Sequence, residues 1–279
     1  MLKKLLKYDF KSVFKFWWIA AVFSVVLSVL GGVCISVIDS ERELSVIVDV
    51  SAIIVLITVI VGVVAFSLLS VILVCVRFYK NLFTDEGYLT FTLPVKIRSI
   101  LNSKIISATL TVLVTYFVVA FDMFTMFLTA ALAHPRILFN IDTIKYYMNF
   151  VLEVIKELGI YFPVYLVEIL LLLVLYIAFS VMFIYACITF ASLITKKARV
   201  ITAIGIYYGS NAIISFVLEM AIIFSLPTVI ERLGEIANEN MFDFTFALIL
   251  LCVIVFAFMG CALIYALQYF MLDKKLNLS

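Results

Sequence analysis

The chain has 279 residues, of which 66% are hydrophobic and 14% charged, with a mean hydropathy of +1.27 and a net charge of +2. Soluble domains average about 45–50% apolar and about 25% charged residues, and a chain of this size cannot hide so much apolar surface from water. The composition excludes a soluble enzyme, a disulfide-stapled secreted module and a disordered chain, and the balance of charge is too small for a nucleic-acid binder.

The first fifteen residues form an amphipathic pattern. Leu2, Leu5, Leu6, Phe10, Val13 and Phe14 recur at helical spacing, with Lys3, Lys4, Lys7, Lys11 and Lys15 on the other face. This predicts a helix over 1–15 lying in the membrane interface. Trp17 and Trp18 follow where an aromatic belt is expected.

Six continuous apolar runs come next, over 16–38, 50–76, 105–133, 162–194, 200–226 and 244–271. Each exceeds the ~20 residues that cross a hydrocarbon core as a helix. Barrel strands would alternate with period two over about 10 residues, and these runs do not. The first run is too long for the apolar region of a signal peptide, and no A-x-A site follows it, so it is expected to remain in the mature protein. Leu30-Gly31-Gly32-Val33-Cys34 echoes a lipoprotein cleavage box, but Val33 stands where a small residue is required. The fold class predicted is an all-α integral membrane protein of six spans, forming a single domain over 1–279.

Orientation follows from the basic residues. Fifteen of the twenty Lys and Arg fall at the two ends and in the second and fourth connections. Cytoplasmic loops are enriched in these residues, which predicts both termini in the cytoplasm. Eleven of the eighteen acids lie in the other three loops.

The connection 77–104 is then cytoplasmic. Thr84 can cap a short helix whose first turn holds Asp85 and Glu86, Gly87 and Pro94 bracket a turn, and Pro94 can open the next helix. Ile97, Ile100, Leu101 and Ile105 share one face of that helix, with Lys96, Arg98, Asn102 and Lys104 on the polar side. Such a segment is shaped to dock into another protein. The long outer loop 134–161 carries an amphipathic helix over roughly 142–158. The loop 227–243 starts at Pro227 and forms a second outer amphipathic element.

Catalytic motifs are missing. There is no Gly-Lys pair, hence no G-x-x-x-x-G-K-[ST] loop. His134 is the one histidine, which rules out H-E-x-x-H and serves a Ser-His pair poorly. Cys34, Cys75, Cys187, Cys252 and Cys261 lie in apolar runs without metal-ligand spacing. The chain is therefore not expected to be an enzyme or to bind a metal or other cofactor. Three acids fall within spans, namely Asp122, Glu168 and Glu219, and such residues are functional candidates by default. Gly205 and Gly209 form a GxxxG pair in the fifth span, followed by Ser210 and Asn211, and such pairs allow close helix approach.

The run Asp85-Glu86-Gly87-Tyr88-Leu89-Thr90-Phe91-Thr92-Leu93-Pro94-Val95 resembles the cytoplasmic coupling segment of ATP-binding-cassette type-2 exporter permeases of Gram-positive bacteria. The amphipathic N-terminal helix and six spans fit the same family across essentially the whole chain. The resemblance implies a multi-pass protein of the bacterial plasma membrane. It implies a dimer of permease subunits, homo- or heterodimeric, on two ATPase subunits that carry the ATP and Mg. Thr84, Asp85, Glu86, Gly87, Tyr88, Leu93 and Pro94 would contact the ATPase. Gly205, Gly209 and Asn211 would lie at the pathway or dimer interface, because spans two and five line it in this family. The element 227–243 would match its re-entrant region before span six. The function so implied is alternating-access export of an amphipathic substrate such as a peptide, drug or lipid-like molecule. The residues alone leave two other readings open. One is an ion- or proton-coupled carrier using Asp122, Glu168 and Glu219. The other is a non-transporting membrane scaffold or immunity protein.

Overall fold

The computed structural model describes residues 2–38, 46–84, 87, 92, 96–133, 141–159, 161–195, 198–237 and 242–274. Among them there is no strand, and nearly all are helical. The helices are α1 (Leu2–Ile38), α2 (Val46–Phe83), α3 (Ile97–Ala133), α4 (Ile141–Leu158), α5 (Tyr161–Ile194), α6 (Arg199–Ala237) and α7 (Phe242–Lys274). Six of them, all but α4, are long and apolar enough to cross a membrane, and the chain is a multi-pass membrane protein. The shortest crossing candidate, Arg199–Ser225, has 27 residues, about 40 Å at 1.5 Å per residue. That exceeds a ~30 Å hydrocarbon core, so the spans tilt or reach into the headgroups.

Two helices are longer than the sequence pattern suggests. The interfacial helix expected over 1–15 is not separate: α1 runs unbroken from Leu2 to Ile38. No glycine or proline stands before Gly31 to end it. The outer element expected to start at Pro227 is likewise continuous with the fifth span, as α6 passes through Pro227 to Ala237. Proline removes one backbone donor, and membrane helices tolerate that loss. Helix α4 ends at Gly159, whose φ of 49° is the left-handed C-terminal conformation that glycine adopts without strain. The Gly159 amide donates to the Ile155 carbonyl at 3.1 Å.

The chain divides into two compact units. The first holds Met1–Arg77 with Ile106–Val154. Its centre is Trp17, 1% exposed, packed with Ala21 and Phe66. The Trp17 indole N–H donates to Thr115 Oγ1 at 2.9 Å, which satisfies the polar tip of a buried ring. Of the two tryptophans expected in an interfacial belt, Trp17 therefore faces the core, and only Trp18, 63% exposed, faces outward. Ser28 and Thr125 hydroxyls meet at 2.6 Å between α1 and α3. Gly31 and Gly32 make these contacts possible. A methyl on Gly31 would lie 2.9 Å from Val59 Cγ1, and one on Gly32 would collide with Thr129 and the Met126 carbonyl. The glycines of the lipoprotein-like echo are helix-packing residues.

The second unit holds Phe78–Ile105 with Ile155–Ser279. In it α5 packs along both α7 and α6. Tyr165 meets the Phe246 edge at 5.5 Å between ring centroids, and a methyl on Gly260 would lie 3.1 Å from the Phe179 ring.

Candidate functional site

The segment singled out by the sequence leaves α2 and enters α3. Asp85, Glu86, Tyr88, Leu93 and Pro94 lie outside the described residues. A helix capped by Thr84 would fall on residues outside those described. The Thr84 hydroxyl donates back to the Lys80 carbonyl, closing the last turn of α2. The Gly87 amide donates to the Thr84 carbonyl at 2.7 Å, which makes a tight turn. Gly87 is buried. A Cβ there would stand 2.6 Å from the Leu82 carbonyl oxygen, so close backbone approach requires glycine at this position. On the far side, α3 begins at Ile97, and the Lys96 carbonyl accepts its first bonds, from Ser99 at 2.8 Å and Ile100 at 3.4 Å. Pro94 is therefore too far upstream to be the first residue of α3.

Both stems of the segment are fixed to the second unit. Phe78 is fully buried, and its ring stacks on Tyr185 of α5 with centroids 3.7 Å apart and planes 9° apart. The Arg199 guanidinium at the start of α6 donates from Nη1 to the Phe83 carbonyl at 2.7 Å. Terminal carbonyls of a helix lack partners within it, and a cation there also meets the negative end of the helix dipole. From α3, Asn102 Oδ1 accepts the Tyr265 hydroxyl at 2.7 Å, and the Arg98 guanidinium lies 4.8 Å from the Tyr269 ring centroid on α7. Leu82, Phe83, Ile100 and Leu101 are buried with them. The stems are thus held to α5, α6 and α7 by an aromatic stack, a charge-assisted hydrogen bond and a hydroxyl–amide bond.

Sequence reasoning overlooked Gln268. It is fully buried on α7, and neither its amide nitrogen nor its oxygen has a hydrogen-bond partner among the described residues. A lone amide within the last apolar run was the available signal, but it carries no charge to draw attention.

Gly205, Gly209 and Asn211 are all exposed, and a Cβ on either glycine would meet nothing within 4 Å. Helix α6 packs through its opposite side. Ala203 is buried, the Tyr207 ring lies 5.8 Å from that of Phe183, and Ser210 lies against Cys187. At 100° per residue, Gly205, Gly209, Ala212, Phe216, Glu219 and Ile223 form one stripe pointing away from that contact. All six are exposed. Asn211 falls beside the stripe rather than on it.

The three in-span acids differ in environment. Asp122, in the first unit, is 1% exposed, and neither carboxylate oxygen accepts a hydrogen bond among the described residues. The Ser24 hydroxyl lies beside it but donates to the Ala21 carbonyl at 2.9 Å. Glu168, in the second unit, is 9% exposed, with Oε2 unpartnered among the described residues. Glu219 is exposed on the outward stripe of α6. No protein-family model, curated protein or solved structure matches the chain.

Proposed function

We propose that the chain is the membrane-spanning permease subunit of an ATP-binding-cassette exporter of the type-2 class, oriented with both termini in the cytoplasm of a bacterial plasma membrane. The observation that carries this reading is the anchorage of segment 84–95. A D-E-x-Y-L-x-x-T-L-P-V sequence sits between two stems held to α5, α6 and α7 by the Phe78–Tyr185 stack, the Arg199–Phe83 bond and the Asn102–Tyr265 bond. That is the construction a transmitting joint needs. Two partner ATPases bind ATP and Mg and approach each other, and segment 84–95 receives the push. Its stems pass the push to three spans, and a cavity between two permease subunits changes its access.

The outward stripe of α6 supports the second permease subunit. Glycines with open space above them, and an acid at Glu219, are poorly suited to hydrocarbon and well suited to a closely approaching helix. The substrate is an amphipathic molecule, in keeping with the apolar residues available to line a path. The buried Asp122, without a hydrogen-bond partner among the described residues, favours a second reading, an ion- or proton-coupled carrier.

Inside-out vesicles separate the two. The permease reading expects accumulation of substrate that requires ATP, persists when the proton gradient is collapsed, and is lost when Asp85 and Glu86 are both changed to Lys. Uptake that follows the proton gradient without ATP establishes the carrier instead.

A further inference from the structure

We infer that Asp122 is the anionic end of a binding site, within the first three spans, for a small organic ammonium ion with an aromatic or aliphatic body. The inference names a substrate class for the exporter reading and rests on it only for what happens after binding. Asp122 stands on the wall of a recess of ≈ 150 Å³ that is also lined by Ser28, Val59, Val63, Ser67 and Met126. All these residues belong to the first unit.

The walls are overwhelmingly apolar, and the hydroxyls beside the acid are already engaged. Ser28 bonds Thr125 at 2.6 Å and the Val25 carbonyl at 2.7 Å, and Ser67 bonds the Val64 carbonyl at 2.7 Å. Among the described residues neither oxygen of Asp122 has a hydrogen-bond partner, the Ser24 hydroxyl beside it donating to the Ala21 carbonyl instead. A buried carboxyl group is costly without a partner, and no Lys or Arg lies within the six apolar runs to supply one. A ligand that brings its own N–H donors and positive charge completes the site, while its body fills the apolar part. An apolar cavity of about 150 Å³ takes a benzene-sized body, which sets the scale of the ligand. A divalent inorganic cation is disfavoured, because the Asp122 carboxylate and the Ser28 and Ser67 hydroxyl oxygens in the lining are fewer than the ~6 oxygens such an ion takes.

The test uses the full chain in lipid nanodiscs, with 4-fluorobenzylammonium and its neutral analogue 4-fluorobenzyl alcohol followed by fluorine NMR against empty nanodiscs. The expected result is saturable binding of the ammonium. Asp122→Asn weakens it about tenfold or more, since it removes a charge-assisted bond, and leaves the alcohol signal unchanged. Val63→Phe, which fills the recess and keeps the acid, abolishes saturable ammonium binding in an independently folded variant. Equal ammonium binding by wild type and Asp122→Asn overturns the inference. So does binding of the alcohol as strong as that of the ammonium, or full retention of binding in Val63→Phe. No ATPase is present in the measurement, so a negative result leaves the exporter reading intact, and failure of ATP-driven transport leaves this site intact.

Discussion

At the scale of single residues, the glycines separate into two kinds. Gly87 and Gly32 are closed in by backbone and side-chain atoms, whereas Gly205 and Gly209 face open space. Overpacking costs about 1–3 kcal/mol. Gly87→Ala is therefore expected to lower the melting temperature of the detergent-solubilised chain, while Gly205→Ala leaves it unchanged. Equal melting of Gly87→Ala and wild type removes the close turn over Leu82 from the account. Phe78, fully buried against Tyr185, is the largest such contact at the stems. Its replacement by Ala is expected to cost about 3–5 kcal/mol, read as the loss of folded monomer in the same melting assay. These distinctions were only partly legible in the sequence. Residue type marked Asp122, Glu168 and Glu219 as unusual, because charge inside a long apolar run is visible without a structure. Burial was not visible. Trp17 and Trp18 are adjacent and identical in chemistry, and the 100° between them sends one to the core and one outward. Gln268 went unnoticed for the opposite reason: an uncharged amide is inconspicuous in sequence yet costly when buried without partners.

At the scale of elements, the crossing helices were legible because lipid imposes a single requirement, a long apolar run with its backbone bonds made internally. Helix ends were harder to read. Pro227 reads as a stop signal in water, yet α6 continues through it, and the amphipathic start of α1 joins its span without a break. The α6 stripe makes a specific prediction. In a cysteine-free background, Ala212→Cys or Phe216→Cys is expected to form a disulfide between two copies in oxidised membranes. Ala203→Cys, whose side chain faces the chain's own interior, is expected not to. Equal cross-linking at 203 and 212 removes the stripe as an interface between subunits. Arg199→Gln tests the joint between elements. It deletes the charged donor to the Phe83 carbonyl, a bond of about 1.5–3 kcal/mol. It is expected to leave the partner's ATP hydrolysis in place while transport per ATP falls. A parallel fall of both activities shows that the bond serves folding alone.

At the scale of the whole molecule, composition alone carried the argument from water to lipid, and the chain divides into two compact units. Spans four to six hold the stems of segment 84–95, and spans one to three hold the recess at Asp122. On this account the work is supplied from outside, and the chain contributes anchorage, a binding surface and movement. The most direct measurement is affinity purification of the tagged chain from its native membranes, with the ATPase activity and subunit composition of the eluate determined for wild type and for the Asp85→Lys, Glu86→Lys double variant. The account predicts that an ATP-hydrolysing subunit accompanies the wild-type chain in equal amount and is lost from the double variant, which itself remains folded in the membrane. A wild-type chain that transports substrate while purifying free of any ATPase contradicts it.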